Sequence, residues 1–268
     1  MIKYLLIFLL FVGCSSTQNL EQRQNNIIDL NKGEFIENVY RVDSFNIFSL
    51  KRIKDNGILT VYIEGDGQAW IDRFTPSANP TPSNPVAFKL ALADKSNNVI
   101  YMSRPCQYMS SPGCNQAVWT NLQYSDLVLE VYKIIFKEKL INNYNEIHLV
   151  GYSGGAAIAI YLASQEDLNI KSIRTIAGNI NPDEISKLLN LSGYEKTVNF
   201  YSLEEQIQKI FQIHYYGVKD KVIPIDLHFN YLERNSVSKC VNIEPVSASH
   251  NEGWSEFWQK NYQLKINC

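Results

Sequence analysis

Ser153 stands in Gly151-Tyr152-Ser153-Gly154-Gly155, between an apolar run at residues 147–150 and an Ala/Ile-rich segment that follows at once. A serine hydroxyl is a weak nucleophile at neutral pH, so acyl transfer through it needs a base to take its proton and a carboxylate to orient that base. Gly-x-Ser-x-Gly between a strand and a helix supplies the first part: it presents the hydroxyl above a sheet and aims the N–H groups that follow at a substrate oxygen. The flanking glycines, lacking Cβ atoms, let strand and helix approach closely. Of the four histidines, His148 and His214 fall inside strand-like runs and His228 inside a helical one, which leaves His250 in Ser247-Ala248-Ser249-His250-Asn251, just after the last strand-like run. His250 is the expected base. Asp220, at the end of the preceding strand-like run, is the expected acid, with Asp183 in reserve and Asp226 third. The oxyanion donors are expected at the N–H of Gly154 and at the turn Glu64-Gly65-Asp66-Gly67, where Asp66 is preferred and Gly67 and Gln68 are rivals. The Asp66 carboxylate is expected to point away from the oxyanion.

These residues need a frame that brings chain-distant turns together. Residues 58–63 and 99–102 read as strands buried on both faces, and 147–150, 170–177, 212–218 and 241–246 continue the series. Between them, residues 86–94, 118–140, the segment after Ser153, 183–211 and 252–264 carry helical spacing, and alternation over 34–50 suggests edge strands. Strands alternating with helices, without an internal repeat, predict one doubly wound, mostly parallel α/β domain. Its ligand site belongs beyond the carboxyl ends of the strands, where all the candidate residues fall. Arg104, Gln107 and Tyr108, after one such strand, and Trp254 either line the pocket or brace the structure around it.

The chain has 268 residues and a net charge of −2, with Lys and Arg scattered, so it offers no electrostatic footprint for nucleic acid. Its first residues carry one positive charge, Lys3, then an apolar run too short to span a bilayer. Leu10-Phe11-Val12-Gly13-Cys14 resembles the bacterial lipobox. Residues 1–13 are therefore expected to be a lipoprotein signal peptide, Cys14 the lipidated residue, 14–33 a polar tether and 34–268 the folded domain. The expected location is the bacterial cell envelope, on the outer membrane or cell surface. Cys106, Cys114, Cys240 and Cys268 remain, an even number in an oxidising compartment. Local spacing favours Cys106–Cys114 and Cys240–Cys268, loops that contribute roughly 2.5 and 3.5 kcal/mol on chain-entropy grounds. The spacings lack a C-x-x-C pair, which argues against zinc.

The turn at Tyr62-Ile63-Glu64-Gly65-Asp66-Gly67, the Gly151–Gly155 turn, the corner Gly217-Val218-Lys219-Asp220-Lys221-Val222-Ile223-Pro224 and Ser249-His250 together resemble the α/β-hydrolases from residue 58 to the C-terminus. Glu64-Gly65 stands where that family commonly carries His-Gly. The resemblance implies a sheet of about eight strands in the α/β-hydrolase fold, a Ser153–His250–Asp220 triad, and hydrolysis of an ester or related acyl bond through an acyl-enzyme. No metal or organic cofactor is implied. The expected partners are a small acyl substrate and, through Cys14, a membrane. Two other readings share the scaffold: a serine peptidase, and a lipoprotein that binds a ligand or envelope partner without turnover.

Overall fold

The structure, a computed structural model, describes residues 20–263, 266 and 268. Cys14 and the expected signal peptide lie outside the described residues. Strands β1 (Ile36–Val42), β2 (Phe45–Arg52), β3 (Ile58–Ile63), β4 (Asn98–Met102), β5 (Glu146–Tyr152), β6 (Ile170–Ile176), β7 (Phe211–Gly217) and β8 (Val241–Val246) form one sheet. Its order is β1-β2-β4-β3-β5-β6-β7-β8. The β1–β2 hairpin pairs antiparallel and docks antiparallel on β4, while β4, β3 and β5 to β8 run parallel. This is the predicted doubly wound sheet with its antiparallel edge.

Alternation along the central strands divides the core. Leu59, Val61, Ile63 and Leu149 pack against α4 (Asp126–Ile135), α5 (Gly155–Ala163), α7 (Phe200–Gln206) and α8 (Ile225–Arg234). Tyr62, Val150 and Tyr152 face the other way, toward α2 (Val86–Ala93) and α9 (Trp254–Asn261). Helix α5, GAAIAIYLA, is apolar all round and buried at every residue, as a helix at the centre of a layer must be. The strand order reverses at β3, with β4 on one side and β5 on the other. A crevice opens at such a reversal beyond the carboxyl ends, and here those ends carry residues 64–67 and the turn around Ser153.

Three expectations change. Residues 20–31, assigned above to the polar tether, form helix α1 (Leu20–Asn31) docked on the domain, with Arg23, Ile27 and Asn31 buried at four-residue intervals along one stripe. The helical stretch over 118–140 is divided into α3 (Gln116–Trp119), α4 and a looser helical turn at Phe136–Leu140, because Ser125 starts a new helix in extended conformation. The stretch over 183–211 holds α6 (Pro182–Leu188) and α7, separated where Asn190, Gly193 and Lys196 take positive φ. The cysteines pair as spacing favoured: Cys106–Cys114 and Cys240–Cys268, with Cα atoms 5.7 and 4.8 Å apart. The second bridge ties the last residue to the start of β8.

Candidate active site

Ser153 follows β5 with φ +48°, a conformation disfavoured for a residue with a Cβ atom and held only because its surroundings determine it. Its N–H donates to Ile176 O at 3.0 Å, and its carbonyl accepts from Ala156 and Asn179 at 3.1 and 2.9 Å. Gly155 permits the tight turn. A Cβ there would stand 2.3 Å from Ile63 O, so only glycine lets α5 start against the end of β3 and brings residues 64–67 beside the serine.

The structure brings Ser153, His250 and Asp220 into one hydrogen-bonded chain. His250 Nε2 lies 3.1 Å from Ser153 Oγ, and Nδ1 lies 2.9 Å from Asp220 Oδ2. The other Asp220 oxygen accepts the N–H groups of Val222 and Ile223 at 2.7 and 3.1 Å. Burial pushes the Asp220 carboxyl up, but the His250 bond and charge and these two N–H donors outweigh it and hold the carboxyl below its ordinary value. The imidazole is fixed through its backbone. Tyr152 and Trp254 both donate to His250 O, at 3.1 and 3.0 Å, and Tyr152 also donates to Asn251 Oδ1 at 2.6 Å. Trp254, one of the two alternatives above, is therefore a brace rather than a wall.

The other candidates are elsewhere. Asp183 sits in the first turn of α6 and Asp226 in the first turn of α8, and neither bonds His250. His148 pairs with Ser172 Oγ at 2.7 Å and His214 with Thr175 Oγ1 at 2.9 Å, both within the sheet. His228 is buried in α8.

In the turn after β3, the Gly65 N–H donates to Glu64 Oε1 and the Gln68 N–H to Pro80 O, each at 3.0 Å. Both are committed, which removes Gln68 as an oxyanion donor. The N–H groups of Gly154, Asp66 and Gly67 have no acceptor among the described residues. Contrary to expectation, the Asp66 side chain does not point away from the expected oxyanion donors. It lies against Gly154, where an added Cβ would stand 1.8 Å from its Oδ1, paired with Arg104 at 2.9 Å and accepting a hydrogen bond from Tyr124 OH at 3.2 Å. Arg104 also donates to Gln123 O at 2.7 Å, while Gln107 accepts from the Arg104 N–H and donates to Gly65 O, both at 2.9 Å. Arg104 and Gln107 hold this turn from behind, and Tyr108 is buried with them.

Glu64 is the least expected member of the site. Its carboxyl is 1% exposed, bonded by the N–H groups of Gly65 and Ala87 and by Tyr101 OH. Burial outweighs these donors and raises it to about 7. Below the ordinary glutamate value both the folded and unfolded chains hold this proton. Between there and about pH 7 only the fold holds it, so stability falls as pH rises through that window. Glu64→Gln should therefore match the natural chain near pH 4.5 and exceed it by roughly 3 kcal/mol above pH 7, read from urea midpoints.

A cavity of about 500 Å³ opens over Ser153 and His250, walled by Gln68, Trp70, Tyr152 and Val222. A second, of about 480 Å³, lies at the opposite ends of the strands around Glu146, His148 and Arg174; Ser172, which bonds His148, is fully buried and does not line it. Among the described residues, no group of acidic, His and Cys side chains is placed to hold a metal ion.

No family model matches the chain, and no curated protein matches it in sequence. Solved structures do match. An esterase from Pyrococcus furiosus is 14% identical, with TM-score 0.59 over 85% of this chain and 90% of its own. A serine hydrolase homologue from Coxiella burnetii is 16% identical, with TM-score 0.56 over 85% and 97%. A Xanthomonas campestris α/β serine hydrolase described as lacking a lid is 11% identical, with TM-score 0.54 over 87% and 97%. At these identities the likeness establishes the fold, which is the α/β-hydrolase fold.

Proposed function

We propose that the protein is a serine hydrolase that cleaves a carboxylic ester or related acyl bond, anchored to the cell envelope through a lipid on Cys14. The observation that carries the reaction is the chain Ser153 Oγ, His250, Asp220, with links of 3.1 and 2.9 Å. Ser153 Oγ attacks the carbonyl carbon while its proton moves to His250 Nε2. Asp220 accepts the Nδ1–H and offsets the charge of the imidazolium. The oxyanion is received by the N–H of Gly154 and by that of Asp66 or Gly67, which are free to donate. Collapse of the intermediate breaks the bond to the leaving group, which takes the proton from His250 Nε2 and departs as an alcohol. Water then repeats the sequence on the acyl-enzyme, giving the acid and restoring Ser153.

Three named esterases or serine hydrolases with this fold support the reading. The cavity is open to solvent, and Trp70 and Val222 give it an apolar wall against which an acyl group can lie. A fluorophosphonate probe should label the chain at one residue, and peptide mapping should place the adduct on Ser153. No adduct, with native fluorescence retained, would instead favour the ligand-binding reading.

A further inference from the structure

Residues 69–77 close on themselves beside the cavity. Ser77 N–H donates to Ala69 O at 2.9 Å, Ile71 N–H to Thr75 O at 2.8 Å, and Trp70 bridges Pro76. At the tip, Asp72 Oδ1 accepts the N–H groups of Phe74 and Thr75 at 2.8 and 2.9 Å. This self-bonded hairpin presents Trp70, Ile71 and Phe74 to water at 45, 61 and 83% exposure. Val222, which lines the same cavity, is half exposed, and Ile225 and Phe229 are exposed on α8, which begins three residues later. At the tip exposed Arg73, beside the Phe74 ring, balances exposed Asp72, and Lys219 and Lys221, either side of Asp220, are exposed. An exposed apolar patch beside a site marks a binding surface.

Helix α1 indicates what covers it. Arg23, in its first turn, donates to Gln68 Oε1, Asn79 O and Thr81 O, which flank the hairpin. At its other end Asn31 bonds Phe35, which lies under Arg52 at the far edge of the domain. The helix thus starts at the Ser153 end of the sheet. Cys14 is six residues before Leu20, a reach of at most about 20 Å. A lipid on Cys14 would keep the start of α1, and with it this end of the domain, within about that reach of a bilayer.

We propose that the Trp70–Ile71–Phe74 hairpin inserts into the lipid–water boundary of the membrane that carries the Cys14 anchor, placing the mouth of the Ser153 cavity at that boundary. This rests on the anchored-hydrolase reading above and gives it a substrate class, acyl esters of membrane amphiphiles. A lipid anchor needs a second contact for stable attachment, and aromatic side chains favour the interface.

Tryptophan fluorescence tests it, because Trp119, Trp254 and Trp258 are buried and Trp70 is not. The full chain is reconstituted in phosphatidylcholine vesicles with and without acyl-brominated lipid. Bromine should quench the native chain at least twofold more than Trp70→Phe, and the Ile71→Ser/Phe74→Ser chain should lose most of that difference while keeping fluorophosphonate labelling in detergent. Equal quenching of native and Trp70→Phe chains, or undiminished quenching in the double variant, overturns the hairpin contact. A native chain that does not float with vesicles overturns contact and anchor together. Cys14→Ser that still floats and is still quenched at Trp70 removes the anchor and keeps the contact. Loss of labelling in the native chain counts against the hydrolase alone.

Discussion

Ser153→Ala is expected to lower kcat for an activated ester by about 10⁶, with folding unchanged, and His250→Ala should cost nearly as much. The loss corresponds to roughly 8 kcal/mol of transition-state stabilisation. It follows from what the two groups do together: without Oγ there is no atom for His250 to activate, and without the imidazole nothing within 3.1 Å of Oγ takes its proton. The double variant should therefore be no slower than either single one. Residual hydrolysis above the rate in water should remain, because the N–H donors of Gly154 and the 66–67 turn persist. Alanine tolerates φ +48° no better and no worse than serine, and Ser153 makes its structural bonds through backbone atoms. The urea midpoint should accordingly move by less than about 0.5 kcal/mol equivalent, so a large shift would mean that activity was lost through the fold.

How much of this was legible in the sequence depends on the range of the interaction. The turn around Ser153 is local: strand, glycines and helix are contiguous, so the pattern and its context could be read together. Asp220 and His250 were legible for a topological reason. In a parallel sheet every strand ends on the same side, and each residue directly follows a strand-like run. The braces have no such signature. Arg104 meets Asp66 across 38 residues and Gln107 meets Gly65 across 42, pairings that no spacing encodes. An arginine and a glutamine directly after a buried strand were a hint of buried polar work, but not of its partner. In the sequence Glu64 stands out only as a departure from a family pattern; that its carboxyl is buried over the start of α2 requires the tertiary structure. Helix α1 was hidden by composition, since its Asn- and Gln-rich sequence buries one arginine, one isoleucine and one asparagine and relies on side-chain bonds to the domain surface.

Asp220→Asn should separate orientation of the base from its presence, with kcat falling about 10⁴ while His250 stays in place. The Val222 and Ile223 N–H groups hold the Oδ1 position at 2.7 and 3.1 Å, so an asparagine will keep its carbonyl there and turn its NH₂ toward His250 Nδ1. Nδ1 must then accept, which puts the imidazole proton on Nε2, facing Ser153 Oγ. A protonated Nε2 cannot take the serine proton, so the base is present in the wrong tautomer. The same exchange has a signature in stability. The fold holds the Asp220 carboxyl below its ordinary value, so its ionised form contributes stability that is present above that ordinary value and is lost as pH falls through the folded one. Asparagine has no proton to gain there, and the variant should lose less stability between pH 5 and pH 2 than the natural chain. Urea midpoints across that range and kcat at neutral pH measure the two effects independently. A variant with full activity but a flattened acid limb would make Asp220 a structural acid only, and would send the search for the orienting carboxylate elsewhere in the site.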